Sequence, residues 1–136
     1  MKTIRKKIQK TDFNSTASPF QMVHVGSRIS IEPADIIMIS ADISYSYIHL
    51  SNGKRIIVST NIQKLEERFL PYMNMVRVHR SYMINTQFLK YVEGVNAHLI
   101  NDIQCVISRR KRNDLYNAIQ ENNSQAISLG LKIITF

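Results

Sequence analysis

A mostly-β domain of short antiparallel strands, with two short helices and flexible ends, is the fold class this sequence predicts. Three observations lead there. Short runs rich in Ile, Val and Tyr recur between residues 21 and 108, separated by Gly, Pro, Asn, Asp or Ser, as expected for half-buried strands joined by turns. Asn52-Gly53 lies between two of these runs, and Asn-Gly is a strong hairpin signal because both residues tolerate positive φ. A helical period shows in only two places, which excludes the alternating strand and helix rhythm of a parallel sheet.

The elements follow in order. Residues 1–19 hold Lys2, Arg5, Lys6, Lys7 and Lys10 without an apolar period, and read as a flexible basic arm. From Phe20, "QMVHV", "RISIE" and "DIIMIS" give three strands punctuated by Gly26, Ser27 and Pro33. "YSYIHL" and "RIIVS" then pair across "SNGK". A two-residue turn sets Ile48 opposite Ile57 and a three-residue turn sets it opposite Ile56; the sequence leaves both open. In either register Tyr45, Tyr47, Ile56 and Val58 are too apolar for a fully wet face, so this sheet is expected to be covered on both sides.

"TNIQKLEERFL" changes the period. Ile62, Leu65 and Phe69 share one helical face, Thr60 with Gln63 fits a capping box, and Pro71 follows, which predicts a helix over residues 60–70. Next come the strand "MVRVH", a turn-like "RSYMINTQFL", the strand "KYVEG", and "AHLI" paired with "QCVIS" around Asn101 and Asp102. A second helix over residues 108–121 is capped by Ser108 and carries Leu115, Ala118 and Ile119 as its apolar stripe. The domain thus spans residues 20–122, and the tail 123–136 has strand propensity but no partner in the pattern.

At 136 residues and 44% hydrophobic content the chain fits one domain with a real core. No apolar run approaches the roughly 18 residues needed to span a bilayer, and the basic start "MKTIRKKIQK" lacks the apolar stretch of a signal peptide; the expected location is the cytoplasm. A lone Cys105 reads as an apolar filler. His24, His49, His79 and His98 share no ligand spacing, so neither a metal nor another cofactor is expected. Ser81 lies near His79, but no Gly-rich elbow surrounds it, and no P-loop or dinucleotide fingerprint is present. The chain does not read as an enzyme. Its net charge of +8 attracts polyanions, with nucleic acid ahead of an anionic membrane surface.

Two stretches concentrate that charge. In "ISRRKRNDL", Arg109, Arg110, Lys111 and Arg112 sit where a strand meets a helix N-terminus. The helix dipole disfavours cations there, so local stability is not their reason. Backbone N–H groups and guanidinium groups together make a phosphate cradle, and an Arg can fork onto guanine O6 and N7. In "MVRVHRSYMIN", alternation puts Val76 and Val78 on one face and Arg77 and His79 on the other. Arg80 stands at the strand end, free to enter a groove, with Ser81 and Asn85 as residues of the kind that fix turn backbone.

These stretches, in this order, resemble the LytTR family of bacterial DNA-binding domains, whose signature runs F-x-R-x-H-R-S-Y-L-V-N and later I-P-V-S-R-R-x-R. Here the counterparts are "MVRVHRSYMIN" and "CVISRRKR", and "IEPADIIMISADISYSYIHLSNGKRIIVSTNIQKLEERF" resembles the family's first half. The likeness covers residues 22–121. It implies an elongated arrangement of small antiparallel sheets that binds double-stranded DNA through loops, two in successive major grooves and one over the minor groove between them. Carried over, it places Arg80 with His79 in the middle loop, Arg110 in the last loop, and Arg109 and Arg112 near phosphate, with Lys111 beside them. The first loop would be residues 41–45; Ser40 and Ala41 replace the family's usual I-E, so Asp42 or Ser44 would supply its polar contact. Met75 replaces an aromatic residue, a change of packing.

The resemblance implies a transcriptional regulator of the two-component type, with two copies bound to promoter direct repeats. Its input would come from a sensor kinase or a receiver domain, here on another chain if the protein stands alone; the initial Met and the irregular arm favour that. The competing readings are a β-rich protein-interaction module whose charge serves solubility, and an RNA-binding domain that stacks bases on Tyr45 and Tyr47.

Overall fold

The computed structural model describes residues 22–129. A first hairpin pairs β1 (Val23–Gly26) with β2 (Ile29–Ile31), turning through Ser27 and Arg28 at φ 53° and 62°, the left-handed pair that matches strand twist. The chain continues through β3 (Ile36–Asp42), β4 (Tyr45–Leu50) and β5 (Arg55–Val58) to α1 (Ile62–Arg68). After it come β6 (Met75–His79), β7 (Tyr82–Asn85), β8 (Leu89–Glu93), β9 (Asn96–Leu99) and β10 (Gln104–Val106). A 3-10 turn over Arg109–Lys111 leads into α2 (Arg112–Leu129). The central sheet has the order β5-β4-β3-β7-β6, and β10-β9-β8 forms a smaller one. Every pairing is antiparallel.

The central sheet separates two cores. One gathers Ile39, Ile48, Val58 and Met83 with Val23, Val25 and Ile31 of the first hairpin and Ile62, Leu65 and Phe69 around α1. The other gathers Met38, Val76, Val78 and Ile84 with Leu89, Ala97, Leu99 and Cys105 of the small sheet and Leu115 and Ile119 of α2. Each buried Val, Leu, Ile, Met or Phe among them contributes about 1.5–3 kcal/mol of burial. The sheet is thereby clamped on both faces, and its strand ends are held where its layers meet.

The hairpin across Asn52-Gly53 takes the three-residue turn. Leu50 N donates to Lys54 O at 2.9 Å, Gly53 N donates to Leu50 O at 3.0 Å, and Ile48 stands opposite Ile56. Gly53 has φ 91°, open to glycine and costly for most residues. This register puts Ser46, Ile48, Ile56 and Val58 on one face and Tyr45, Tyr47 and Ile57 on the other. The expected double cover therefore stops short of the outer strip: Tyr45 and Ile57 are 52% and 51% exposed. Cover is fullest over residues 36–39 of β3 and 83–85 of β7.

Three other expectations are corrected. Asn61, not Thr60, caps α1, its side chain accepting from Lys64 N at 2.9 Å. Thr60 is held elsewhere: Ser46 Oγ donates to its carbonyl at 2.7 Å, and its side chain packs so closely on Gly26 that a Cβ there would collide with it. The stretch taken as turn-like contains β7, a central strand paired to both β3 and β6, with Asn85 buried at its end, bonded to Pro33 O, Ile36 O and Gln87 N. The second helix is not short; it runs to Leu129, into the segment expected to be an unplaced tail. The basic arm of residues 1–19 and the end of the tail, 130–136, lie outside the described residues.

Candidate nucleic-acid interface

Strand order decides which loops meet. In the run β4-β3-β7-β6 neighbours are antiparallel, so the β3–β4 turn and the β6–β7 turn leave the same end of the sheet side by side. Ala41 N donates to Ser81 O at 2.9 Å and joins them. The β10–α2 junction is drawn to the same place, because Ser108 N donates to Val78 O at 2.8 Å. Three loops, two of them singled out by charge in the sequence and the third only by the family resemblance, thus share one end of the sheet.

The middle loop is built around Arg77. A bulge between Arg77 and His79 sets His79 opposite Tyr82, with the two rings 5.4 Å apart, so strict alternation does not reach the strand end. His79 Nδ1 accepts from Ser81 N at 3.0 Å, which fixes the neutral ring as the tautomer protonated on Nε2. Arg77 Nε donates to His79 O at 2.8 Å, its Nη2 to Arg80 O at 2.7 Å, and its Nη1 to Glu66 Oε1 at 2.7 Å. Arg80 itself is exposed at the tip.

In the last loop Ser108 behaves as its position predicts, its Oγ accepting from Lys111 N at 3.3 Å. Arg109 and Arg110 are exposed, and the Lys111 ammonium lies 3.8 Å from the Asp114 carboxylate. Arg112 is directed away, its guanidinium donating to Gly94 O in the β8–β9 turn. Between the two loops and α1 lies a groove of about 380 Å³. Its walls carry Arg77, His79 and Arg80 from the middle loop, and Ser108, Arg110 and Lys111 from the last. Gln63 and Glu66 of α1 complete it. Four cationic side chains face one carboxylate there, a field that selects anions.

Asp42 and Ser44 stand outside this groove, exposed on the first loop. Tyr47 donates its phenol proton to Asp42 Oδ2 at 3.0 Å, and that bond holds the Tyr47 hydroxyl above its usual titration range. Between Asp42 and Ser44 stands Ile43, 95% exposed and at φ 55°, a left-handed conformation that costs a β-branched residue about 1–2 kcal/mol. Sequence reasoning missed it. The available signal was an isoleucine in a two-residue turn with no glycine.

Other chemistry finds little support. Among the described residues no group of three His, Cys, Asp or Glu could hold a metal ion. Ser40 Oγ and His49 Nε2 are 3.1 Å apart, but both lie within paired strands of the central sheet, Ser40 on β3 and His49 on β4. Burial pushes the Cys105 thiol up to about 12, far from thiolate reactivity. No helix among the described residues is long and apolar enough to cross a membrane.

Comparison with known proteins bears on this arrangement. The family model of the LytTr DNA-binding domain matches residues 26–120. No curated protein sequence matches significantly. Among solved structures, a LytTr DNA-binding domain from a Bacillus cereus protein described as a methyl-accepting/DNA response regulator superposes with a TM-score of 0.58 at 15% identity, covering 76% of this chain and 98% of that one. The mostly-β fold of small antiparallel sheets is therefore shared with that domain, and the family match takes in α1 and both charged loops. On the strength of that match over most of its length, the chain belongs to the LytTR family of DNA-binding domains.

Proposed function

We propose that this protein is a sequence-specific transcriptional regulator that reads duplex DNA with loops and performs no chemistry of its own. Arg80 and Arg110 read base edges or groove shape from the two loops that flank the groove, with His79 beside Arg80. Arg109 and Lys111 neutralise phosphate, and Arg112 braces the last loop through Gly94. Asp42 or Ser44 supplies the polar contact of the first loop. The observation that carries the reading is the convergence of two cationic loops, far apart in sequence, on one groove at one end of the sheet. Solubility alone requires no such convergence. The protein acts in the cytoplasm on promoter direct repeats, two copies to a site, with a receiver or a sensor kinase as its input.

One observation favours RNA instead: Tyr45 is exposed, on an open strip of sheet. Against it, the Arg55 guanidinium lies 4.5 Å over the Tyr47 ring and occupies a face that a base would need.

The test is selection from a randomised duplex pool, followed by fluorescence anisotropy on the winner and on the pool. A winner bound at least about a hundredfold more tightly, and resistant to competing RNA, supports the proposal. Equal binding of winner and pool refutes it and directs attention to a protein partner.

A further inference from the structure

Arg77 lines the groove, yet its side chain is only 14% exposed and its nitrogens are already engaged. Two of its acceptors, the carbonyls of His79 and Arg80, belong to consecutive residues of the turn. The third, Glu66 Oε1, belongs to α1. Holding both carbonyls fixes the peptide planes on either side of Arg80, and the bonds from Ser81 N to His79 Nδ1 and from Ala41 N to Ser81 O complete the frame. A guanidinium has the rigid fork that such a clamp demands; a lysine ammonium is a point donor on a flexible stem.

We propose that Arg77 is a positioning residue that sets the specificity of the Arg80 loop, anchored by Glu66, and that it is not itself a phosphate ligand. Its effect on specificity rests on the DNA-reading function above, whereas the clamp is a property of the free protein. A loop already ordered in its bound form loses less freedom on docking, and that gain accrues to the duplex whose bases Arg80 matches, where position matters most. Generic phosphate attraction gains little from it.

The experiment compares the full chain with Arg77→Lys and Glu66→Gln in two measurements. Without DNA, amide hydrogen exchange at Ser81 quickens by about tenfold or more in Arg77→Lys, as local opening of the turn becomes easier, while cooperative unfolding persists. With DNA, anisotropy on the selected duplex and on a scrambled duplex of equal length shows about tenfold weaker binding to the first and a change within about twofold on the second, with an unaltered salt slope. Glu66→Gln, which keeps Arg77 but weakens its anchor, moves both measurements the same way and less, and serves if Arg77→Lys folds poorly. Equal losses on both duplexes with a salt slope shallower by about one would mark Arg77 as a phosphate ligand and overturn the proposal. So would unchanged exchange and unchanged discrimination. If the wild-type chain itself fails to discriminate, the specificity role falls with the DNA-reading function, and the exchange measurement alone shows whether the clamp survives.

Discussion

If Arg109 and Lys111 each neutralise a phosphate, as proposed above, replacing both by Gln changes the salt dependence of DNA binding by a definite amount. Both side chains lie on the last loop, and neither supports the fold in a way the substitution removes: Arg109 is exposed, and the cap on the turn uses the Lys111 backbone N–H. The ion pair between Lys111 and Asp114 is 3.8 Å long and partly exposed, worth about 0.5 kcal/mol or less. The protein should therefore stay folded. Each phosphate neutralised contributes about 0.9 to the slope of log affinity against log salt, so losing two makes the slope shallower by about 1.8. Between about 50 and about 200 mM salt, that reduces the salt-driven loss of affinity by about twelvefold. Anisotropy titrations of the full chain on one duplex at four salt concentrations measure it. Arg112→Gln is the internal comparison, since its guanidinium is bonded to Gly94 O, and its slope should move less than that of Arg109→Gln. An unaltered slope in the double variant, or a larger change for Arg112→Gln, would refute the assignment of cations to phosphate.

Two further outcomes concern the frame. Asn85→Leu removes three hydrogen bonds from a side chain that is 2% exposed and leaves the Ile36 carbonyl without that partner, so chemical denaturation should show a loss of about 2–4 kcal/mol. On acidification, burial and then the Arg55 charge hold His49 below the usual histidine value of 6.5. The unfolded chain then binds the proton first. The His49 contribution to stability is thus present above about pH 6.5 and lost as the pH falls from there through the lowered folded value, and His49→Gln should flatten that limb in thermal melts recorded at graded pH.

Much of this was legible in the sequence because the signals are local. Punctuated Ile and Val runs marked the strands, Ser108 marked its own cap, and four successive cations at a strand–helix junction marked the last loop. What escaped was set by distant contacts. Thr60 looked like a helix cap, but Gly26 and Ser46 hold it for another purpose. The hairpin register stayed open in the sequence, because turn length alone decides whether Ile48 faces Ile56 or Ile57, and the fold takes Ile56. Met83 and Ile84 fell within a stretch too rich in turn residues to read as a strand, although tertiary pairing on both sides makes it one. Arg77 looked like another surface cation, because Glu66, its partner on α1, is brought beside it only by the fold. The cationic groove residues were individually visible in the sequence; their convergence with Glu66 was not.

The most direct test of the central claim is a titration of Arg110→Ala and the wild-type chain against the selected duplex and its single-base-pair variants. A base-reading Arg110 predicts a loss of about 1–3 kcal/mol on the selected duplex and relaxed preference at one or two adjacent positions, with the other positions discriminated as before. Equal losses on every duplex, or none, would contradict loop-based sequence reading and leave the groove a site of general anion attraction.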